Sequence, residues 1–427
     1  MRVIRTTVAV LAVAGFLAQG AAAWTKLTPD TLENITRPKV LLTAKGTELM
    51  AYYDDSSKSI VVVRNGQPVT VVSGFGSVGE PQIIQLLTGA LVLYFDGSAP
   101  GLRPQGTWRS TSNDDGTTWS APVVFANGDL GDVLSGGVRP DGTPIFLNHY
   151  GILKSNQGLN VDTRHEISPG GCCTYGESLA VDSKGLVQIL LYSNAKAPNF
   201  GTLYGTLDAT GALAGSFQNV TGGKDVVPRN DNNPLVADRV GNTFLAWTEG
   251  SPPTALHVQT RQAGAVVHDV IVWRQFSGGD PHMALSVDGQ NQLWASWTAN
   301  GRVYGARSRS NGAHFGAPSS IALPQGPKLV AFQHSSIARA DGGLSVFVNL
   351  GSAIYSDALL PGLTVVPLRK IVHVYDDGIP VAGATIKGGG RTFTTDAKGK
   401  ATLARVKPKT LMQVTMPGYA PASFKAR

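Results

Sequence analysis

The 427-residue sequence predicts an all-β protein, and three features lead to that prediction. We find no long amphipathic helix pattern after residue 23, and the chain is rich in glycine, with 51 residues, and only 15% charged. A unit made of an apolar strand, a glycine turn and a second apolar strand recurs about every 45 to 55 residues, a spacing typical of propellers. The apolar runs suit inner strands that are covered on both faces. We therefore predict a β-propeller with seven blades, or with six if one unit merges with its neighbour.

Each copy of the unit is located by its second strand, which is rich in aromatic, β-branched and leucine residues. A glycine before each of these strands supplies the turn, because glycine adopts positive φ without a Cβ clash. The second strands fall at residues 50–53, 91–95, 145–147, 189–192, 244–247, 293–297 and 344–348. We expect each unit to form one four-stranded blade, since closure of the blades into a ring removes exposed sheet edges.

Residues 112–119, SNDDGTTW, form a predicted hairpin turn with its own lock. Asp114 can bond backbone amides further along the turn, and Gly116 supplies positive φ. The serine and threonine hydroxyls can tie the strand ends together, and Trp119 can fold over the turn. The pattern S-x-D-x-G-x-T-W resembles the Asp-box, or BNR repeat, of sialidase-like β-propellers, and residues 308–315 form an altered second copy. The resemblance implies a sialidase-like fold with these turns on the outer rim, away from any ligand.

Three regions are predicted along the chain. Residues 1–23 have the basic start, apolar run and small-residue end of a secretory signal peptide, with cleavage near Ala23 and secretion as the destination. Residues 24–369 form the propeller. Residues 370–427 resemble the small carboxypeptidase-regulatory or Ig-like β-sandwich of secreted bacterial proteins, through the patterns at 378–386 and 394–401. We favour a spacer or stabilising role for this sandwich over ligand binding.

The formal charge of +7 gives a weak indication of partners. The basic excess is interpreted as spread along the chain, with no lysine and arginine run interleaved with aromatic residues, so nucleic-acid binding is not expected. Weak attraction to acidic polysaccharide is the alternative to a solvated surface. No later run is apolar and long enough to be a transmembrane segment. We expect a monomer.

Polar residues precede the predicted inner strands, where the mouth of a propeller channel is lined. Such a funnel suits a polar ligand, and a glycan or polysaccharide is the expected partner. Asp132 and Glu80 stand at two of these positions. The residues predicted to bind ligand are Arg37, Cys172, Cys173, Tyr175, Arg229, Asn232, His282 and His334, and the carboxyl pair considered for catalysis is Glu177 and Asp280.

Cys172 and Cys173 are adjacent and are the only cysteines in the chain. Unpaired thiols are uncommon in exported proteins, so we favour a vicinal disulfide over free buried thiols or an intermolecular bridge. Adjacent Cα atoms are about 3.8 Å apart, closer than a usual disulfide spans, so the ring would be strained. We hypothesise that this ring is a rigid apolar plate at the channel mouth on which a ligand stacks.

The sialidase resemblance extends to single residues at the mouth. Arg37 is similar in position to the first arginine that grips the substrate carboxylate, and Glu177 to the glutamate that partners the nucleophile. Arg229 stands at a long spacing for the second arginine, and the third has no clear match, so the arginine set is incomplete. The resemblance therefore leaves sialidase activity open.

We favour glycan binding as the function, with two alternatives. The first is a glycan-degrading enzyme, either a glycoside hydrolase that uses two carboxyl groups or a polysaccharide lyase. The second is a structural or protein-binding propeller. No cofactor is expected, and no metal either, because His282 and His334 are interpreted as channel-lining histidines with satisfied partners.

Overall fold

The computed structural model describes residues 24–30, 32, 37–98, 105–127, 131–149, 151–156, 158–167, 174–194, 200–222, 233–250, 252–276, 281–324 and 333–427. Every regular element in these ranges is a β-strand, which confirms the predicted all-β class. The described residues form two compact units, which divide between Pro361 and Gly362.

The first unit contains twenty-eight of the described strands. They are β1 (Thr25–Lys26), β2 (Lys39–Leu42), β3 (Glu48–Asp54), β4 (Ser59–Arg64), β5 (Gln67–Val72), β6 (Ser77–Gln85), β7 (Leu91–Ser98), β8 (Gly106–Ser112), β9 (Val123–Asn127), β10 (Val133–Val138), β11 (Pro144–Asn148), β12 (Gly151–Ser155), β13 (Val161–Glu166), β14 (Thr174–Val181), β15 (Val187–Asn194), β16 (Phe200–Leu207), β17 (Gln218–Asn219), β18 (Leu235–Ala237), β19 (Asn242–Glu249), β20 (Ala255–Gln262), β21 (Ala265–Trp273), β22 (Met283–Val287), β23 (Leu293–Ala299), β24 (Arg302–Ser308), β25 (Ser319–Ala322), β26 (Gln333–Ala338), β27 (Leu344–Asn349) and β28 (Ile354–Leu359).

These strands build seven antiparallel sheets over the described part of the unit, each with four strands. Six sheets use four consecutive strands, from β2–β5 through β22–β25, and the seventh joins β26–β28 to the N-terminal β1. The first strand of each sheet contacts the first strand of the next, and β26 contacts β2, so the sheets close into a ring. The architecture is a β-propeller, and we interpret the sheets as blades 1 to 7 in the order of their first strands.

The N-terminal segment completes blade 7. Thr25 pairs with Ser356 at the blade's outer edge, and the Trp24 indole nitrogen donates a 2.7 Å hydrogen bond to the Ala322 carbonyl. The ring is therefore closed by residues from both ends of the first unit.

The core of the ring lies in the second strands of the blades, as their apolar runs predict. Leu91, Leu93 and Phe95 of β7 are fully buried, as are Leu293 and Trp297 of β23. The blades on either side cover both faces of these second strands, so their apolar side chains are shielded from solvent. Burial of such side chains stabilises the fold by about 1.5–3 kcal/mol each.

The turn at 112–119 has the predicted lock. The Ser112 hydroxyl accepts a hydrogen bond from the Gly116 amide at 2.9 Å and donates to Asp114 at 2.8 Å. Asp114 also accepts from the amide and hydroxyl of Thr118, at 2.8 and 2.6 Å. The Trp119 indole nitrogen donates to the Gly116 carbonyl at 3.2 Å and closes the turn.

The altered copy at 308–315 has a weaker version of the same lock. The Ser308 hydroxyl accepts from the Gly312 amide at 3.0 Å, and the Ser310 hydroxyl accepts from the His314 amide at 3.1 Å. Asn311 and Gly312 both have positive φ, like Asp115 and Gly116 in the first copy. Both copies connect the third and fourth strands of their blade.

The second unit contains β29 (Thr364–Leu368), β30 (Ile371–Asp376), β31 (Ile379–Pro380), β32 (Thr385–Gly388), β33 (Arg391–Thr394), β34 (Lys400–Thr402), β35 (Leu411–Thr415) and β36 (Ala422–Lys425). One sheet has β29, β30, β31 and β34, and the other has the order β33-β32-β35-β36. Val372, Val374, Ile386, Met412 and Val414 form its core. The predicted boundary at 369/370 falls inside the β29–β30 hairpin, because β29 pairs with β30 and belongs to this unit.

Candidate functional site

The first strands of the blades all begin at one end of the ring, which we call the opening. The locked turns at 112–119 and 308–315 lie at the other end, because third strands run away from the opening and these turns follow them. The predicted mouth residues that the structure describes precede or begin first strands, so they belong to the opening.

Three neighbouring first strands are irregular near the opening. The register of β6 against β7 shifts between Val78 and Pro81, that of β10 against β11 between Val133 and Ser135, and that of β14 against β15 between Gly176 and Ser178. The described pairs of β2, β18, β22 and β26 show no such shift. Bulges of this kind redirect side chains and free backbone groups, and they occur often beside active sites.

Lys39 joins three blades at these irregularities. Its Nζ lies 3.1 Å from Oε2 of Glu80 in blade 2 and donates a 2.8 Å hydrogen bond to the Leu134 carbonyl in blade 3. Leu134 is the residue at the β10 bulge, where the ladder leaves its carbonyl available. The side chains of Lys39 and Glu80 are 7% and 13% exposed, so this ion pair is largely desolvated.

Asp132 extends the cluster on the other side of Glu80. Its Oδ1 accepts a hydrogen bond from the Glu80 backbone amide at 2.9 Å. This approach requires Gly79, because a Cβ at that position would collide with the same Asp132 oxygen. The bulge and its glycine thus bring two carboxyl groups from adjacent blades together beside one lysine.

The cluster perturbs the pKa of each of its members. Burial lowers the pKa of Lys39 to about 8, although Glu80 opposes this shift. Burial alone would raise the pKa of Glu80, but the charges of Lys39 and Arg37 outweigh it and hold that pKa below its usual value. Burial and the Glu80 charge raise the pKa of Asp132. Near pH 7 the Lys39–Glu80 pair is charged, because the pKa of Lys39 stays above that pH.

Arg37 continues the polar surface toward blade 7. Its Nε donates to Oε1 of Gln333 at 3.4 Å, across the junction between blades 1 and 7. Its side chain is partly exposed, whereas Gln333 is 3% exposed. The predicted ligand-binding position of Arg37 therefore lies next to the Lys39–Glu80–Asp132 cluster.

The two predicted histidines lie between blades 6 and 7. His334 is 2% exposed, and its Nε2 lies 2.8 Å from the Ser296 hydroxyl on the second strand of blade 6. Burial, together with His282, lowers the pKa of His334 to about 3, so its ring is neutral. His282 is 8% exposed, with its backbone amide bonded to Thr298. Both side chains pack in the blade junction and offer little surface to a ligand.

Several predicted site residues lie outside the described residues: Cys172, Cys173, Arg229, Asn232 and Asp280. Tyr175 and Glu177 lie in β14, where only the backbone is described, and Glu177 is the residue at the bulge. Sequence reasoning missed Lys39 as a site residue. The available signal was a lysine at the start of an otherwise apolar strand, two residues after Arg37.

Two further features bear on this site within the described residues: metal-ligating groups and membrane-spanning helices. Over those ranges, no group of three or more histidine, cysteine, aspartate or glutamate side chains could hold a metal ion. No helix in the part of the chain that the structure describes is long and apolar enough to cross a membrane.

Comparison with known proteins gives similarity of fold. No protein-family model and no curated protein matches the chain. An extracellular domain assigned to a hybrid two-component system of B. thetaiotaomicron matches with a TM-score of 0.49 and 9% identity, over 96% of this chain and 59% of that one. A Hadza microbial sialidase matches with a TM-score of 0.44 and 15% identity, over 78% and 68%. Kuenenia stuttgartiensis hydrazine synthase matches with 0.49 and 12%, over 80% and 98%.

The chain spans less than two thirds of the first of these structures. At such identities and TM-scores, the similarities do not assign a ligand or a reaction to this chain.

Proposed function

We propose that the opening of the propeller binds a carbohydrate. The observation that supports this most directly is the Lys39–Glu80–Asp132 cluster, which gathers side chains from adjacent blades beside Arg37. Carbohydrates are recognised by hydrogen-bond donors and acceptors held in fixed positions in a concave site. The opening offers both kinds of group, because Arg37 donates and the two carboxyl groups accept.

The members of the cluster have different roles in this proposal. Arg37, Glu80 and Asp132 are partly exposed and would contact the sugar hydroxyls. Lys39 is buried and would hold the Glu80 carboxylate ionised and oriented. A rigid, charged acceptor binds a hydroxyl more strongly than a neutral one, because charge-assisted hydrogen bonds are about twice as strong. We leave His334 out of this surface because its side chain is buried.

The proposal also covers residues whose side chains are not described. Tyr175, Glu177, Arg229, Asn232 and Asp280 precede or begin the first strands of blades 4 to 6, so they would extend the same surface. Cys172 and Cys173 would lie next to it, and a vicinal disulfide would show as the loss of two hydrogens in the mass of the intact protein.

A glycan array followed by titration calorimetry on the best ligand tests the proposal. Glu80→Gln removes the charge and keeps the shape, and we expect binding to weaken by about tenfold or more. Lys184→Ala is the control, because Lys184 is exposed in a turn at the other end of the ring. Equal affinity of wild type and Glu80→Gln, with both folded, would contradict binding at this cluster.

Hydrolysis of the bound glycan is a second candidate. The opposite pKa shifts of Glu80 and Asp132 favour it, since glycosidases use one ionised and one protonated carboxyl group. Glu80 would be the nucleophile or base and Asp132 the acid. Release of reducing sugar that disappears in both Glu80→Gln and Asp132→Asn would support hydrolysis, and binding without release would leave the protein as a lectin-like propeller.

We also propose that the protein is secreted after cleavage near Ala23. N-terminal sequencing of the exported protein tests this, and Trp24 is the expected first residue. Its indole nitrogen donates a hydrogen bond to the Ala322 carbonyl of blade 6, so a chain that begins at Trp24 keeps this contact and the β1 strand of blade 7. A first residue beyond Thr28 would contradict the proposal, because β1 would then be missing.

A further inference from the structure

The positive charge of this protein is concentrated in the second unit. Residues 362–427 have eleven lysines and arginines against three aspartates, a formal charge of +8. Residues 1–361 have 25 basic against 26 acidic residues, a formal charge of −1. The interpretation of the basic excess as spread along the chain is therefore wrong. A small unit with such an excess of one sign has a strong field around it.

Four segments of the second unit meet at one end of its two sheets. The loop at 403–410 connects them: the Leu403 amide donates to the Lys370 carbonyl at 2.8 Å, and the Lys409 amide donates to the Ala426 carbonyl at 2.8 Å. A Cβ at Gly389 would lie 3.2 Å from Thr410 Cγ2, so the β32–β33 turn borders the same loop. We call this end, with the turns at 369–370 and 388–391, the loop at 403–410 and the terminus at 425–427, the basic end.

Nine of the eleven basic side chains of this unit lie at the basic end or on the strand residues next to it, and all nine are exposed. They are Arg369, Lys370, Lys387, Arg391, Arg405, Lys407, Lys409, Lys425 and Arg427.

The three aspartates lie at the opposite end of the sheets. Asp376 is the last residue of β30 and Asp377 follows it; both are buried, and the Tyr419 hydroxyl donates to Asp376 at 3.0 Å. Asp396 is in the turn that leads into β34 and accepts from the Lys398 and Lys400 amides. Among the described residues, no side-chain ion pair is formed by the basic end, so its charge is not neutralised within the unit.

We propose that the basic end is a binding site for an acidic polysaccharide. Exposed lysines and arginines that lie on one surface without acidic neighbours attract a chain of regularly spaced carboxylates or sulfates. Side-chain amines at several points along the surface would contact successive acidic sugars, and the many weak contacts would add together. This site is independent of the propeller opening, and it assigns the second unit a role beyond that of a spacer.

Two other anionic partners fit the surface less well. Single-stranded nucleic acid is held by exposed aromatic side chains on which bases stack, and the four segments of the basic end contain no phenylalanine, tyrosine or tryptophan. Insertion into a lipid surface needs an apolar face, whereas the described exposed apolar side chains next to these residues are two, Leu368 at 49% and Leu411 at 55% exposure, on different sheets. Both partners are nevertheless included in the test below.

The test uses the whole secreted chain and measures binding to polygalacturonate and to heparin, with dextran as the neutral control. The patch variant combines Lys407→Glu, Lys409→Glu and Lys425→Glu. The matched control combines Lys45→Glu, Lys184→Glu and Arg239→Glu, which changes the net charge by the same amount at exposed turns of the propeller. Lys409 has positive φ already, and glutamate keeps the same backbone requirement.

We expect the patch variant to bind the acidic polysaccharide about tenfold more weakly or worse, and the control variant to stay within about twofold of wild type. Binding should weaken as salt rises, because ions screen the attraction. Preference for the carboxylated or the sulfated polymer identifies the acidic group. Glu80→Gln should leave this binding unchanged, which separates it from the proposed function of the opening.

Three outcomes would overturn the proposal: equal loss in the patch and control variants, no binding to either acidic polymer, or tighter patch-dependent binding to single-stranded DNA or phosphatidylserine vesicles. The melting profile of each variant shows whether it is folded. If the glutamate variant does not fold, Lys407→Gln, Lys409→Gln and Lys425→Gln take its place with the same expected direction.

Discussion

The buried imidazole of His334 predicts a specific acid sensitivity of the propeller. Its pKa is lowered to about 3 by burial and by His282, whereas the unfolded chain has an ordinary value of 6.5. Below pH 6.5 the unfolded state therefore binds a proton that the folded state refuses, so stability falls as the pH is lowered. The slope is about 1.4 kcal/mol per pH unit, and the loss by about pH 4.5 is about 2–3 kcal/mol.

The perturbation that isolates this effect is His334→Gln. Glutamine has a similar reach to Ser296, cannot be protonated in this range, and removes the pH-dependent contribution of this site while adding a constant packing cost. The assay is calorimetric unfolding of both proteins between pH 7.5 and about pH 4.5, with the propeller transition compared at each pH. We expect the stability difference between wild type and His334→Gln to change by about 2–3 kcal/mol across that range, in favour of the variant at low pH.

Parallel pH profiles for the two proteins would refute the reasoning, because they would mean that His334 binds its proton equally in both states. A second readout separates this role from ligand binding. Carbohydrate affinity at pH 7.5 should be unchanged in His334→Gln, since the ring is neutral and buried there. Loss of affinity at that pH would indicate that His334 contributes to carbohydrate binding.

Three further predictions concern the cluster and the turns. Lys39→Met leaves the Glu80 carboxylate without its buried partner and should destabilise the first unit by about 3–5 kcal/mol in denaturant unfolding. Adding Glu80→Gln should recover part of this stability, and no recovery would show that the two side chains are not coupled. Ser112→Ala removes the hydroxyl that accepts the Gly116 amide and should lower stability by about 1–2 kcal/mol, so an unchanged midpoint would contradict the lock. Ser310→Asp restores the consensus acceptor in the altered turn and should raise stability by about 0.5–1 kcal/mol in the same measurement, whereas a loss would mean that the turn cannot accommodate the carboxylate.

Local features of the fold were predictable because they depend on residues close in sequence. The turn at 112–119 is determined by hydroxyl, carboxylate and glycine positions within eight residues, and the structure forms the predicted lock. The second strands were likewise recognisable, and the run at 91–95 lies in β7 with every side chain buried. Hydrophobic runs and turn chemistry are sufficient for both.

The cluster at the opening could not be predicted in the same way. Lys39 and Leu134 are 95 positions apart, and their contact depends on ring closure and on the β10 bulge. The sequence of the strand does not show which residue will be bulged, or which backbone carbonyl will be left without a partner in the neighbouring strand. The burial of His334 could not be predicted for a related reason. Successive residues of a strand face opposite sides of the sheet, and neighbouring blades cover both sides, so Gln333 contacts Arg37 beside blade 1 and His334 contacts Ser296 of blade 6.

The basic end shows the limit of reading charge along the sequence. Its residues are distributed over positions 369–427 and are separated by strands, so no run of like charges marks them. Antiparallel pairing places the turns of a small sandwich at two ends, and a bias in which turns contain lysine then produces a charged surface. The basic surface becomes apparent when lysines and arginines are counted for each unit and then for each end of its sheets. A short window along the sequence contains too few of these residues to indicate it.

The positions of the bulges indicate where a ligand would sit on the propeller. The register shifts occur in blades 2, 3 and 4, whereas the described first-strand pairs of the other blades are regular. Regular first strands are sufficient to close the ring in the other blades. We therefore attribute the bulges in three adjacent blades to ligand binding, because bulges occur often beside active sites. Glu80 lies at one of these shifts and Glu177 at another, with Leu134 between them. We therefore expect the carbohydrate to bind off the ring axis over blades 2 to 4, so Glu177→Ala should weaken binding in the same assay as Glu80→Gln.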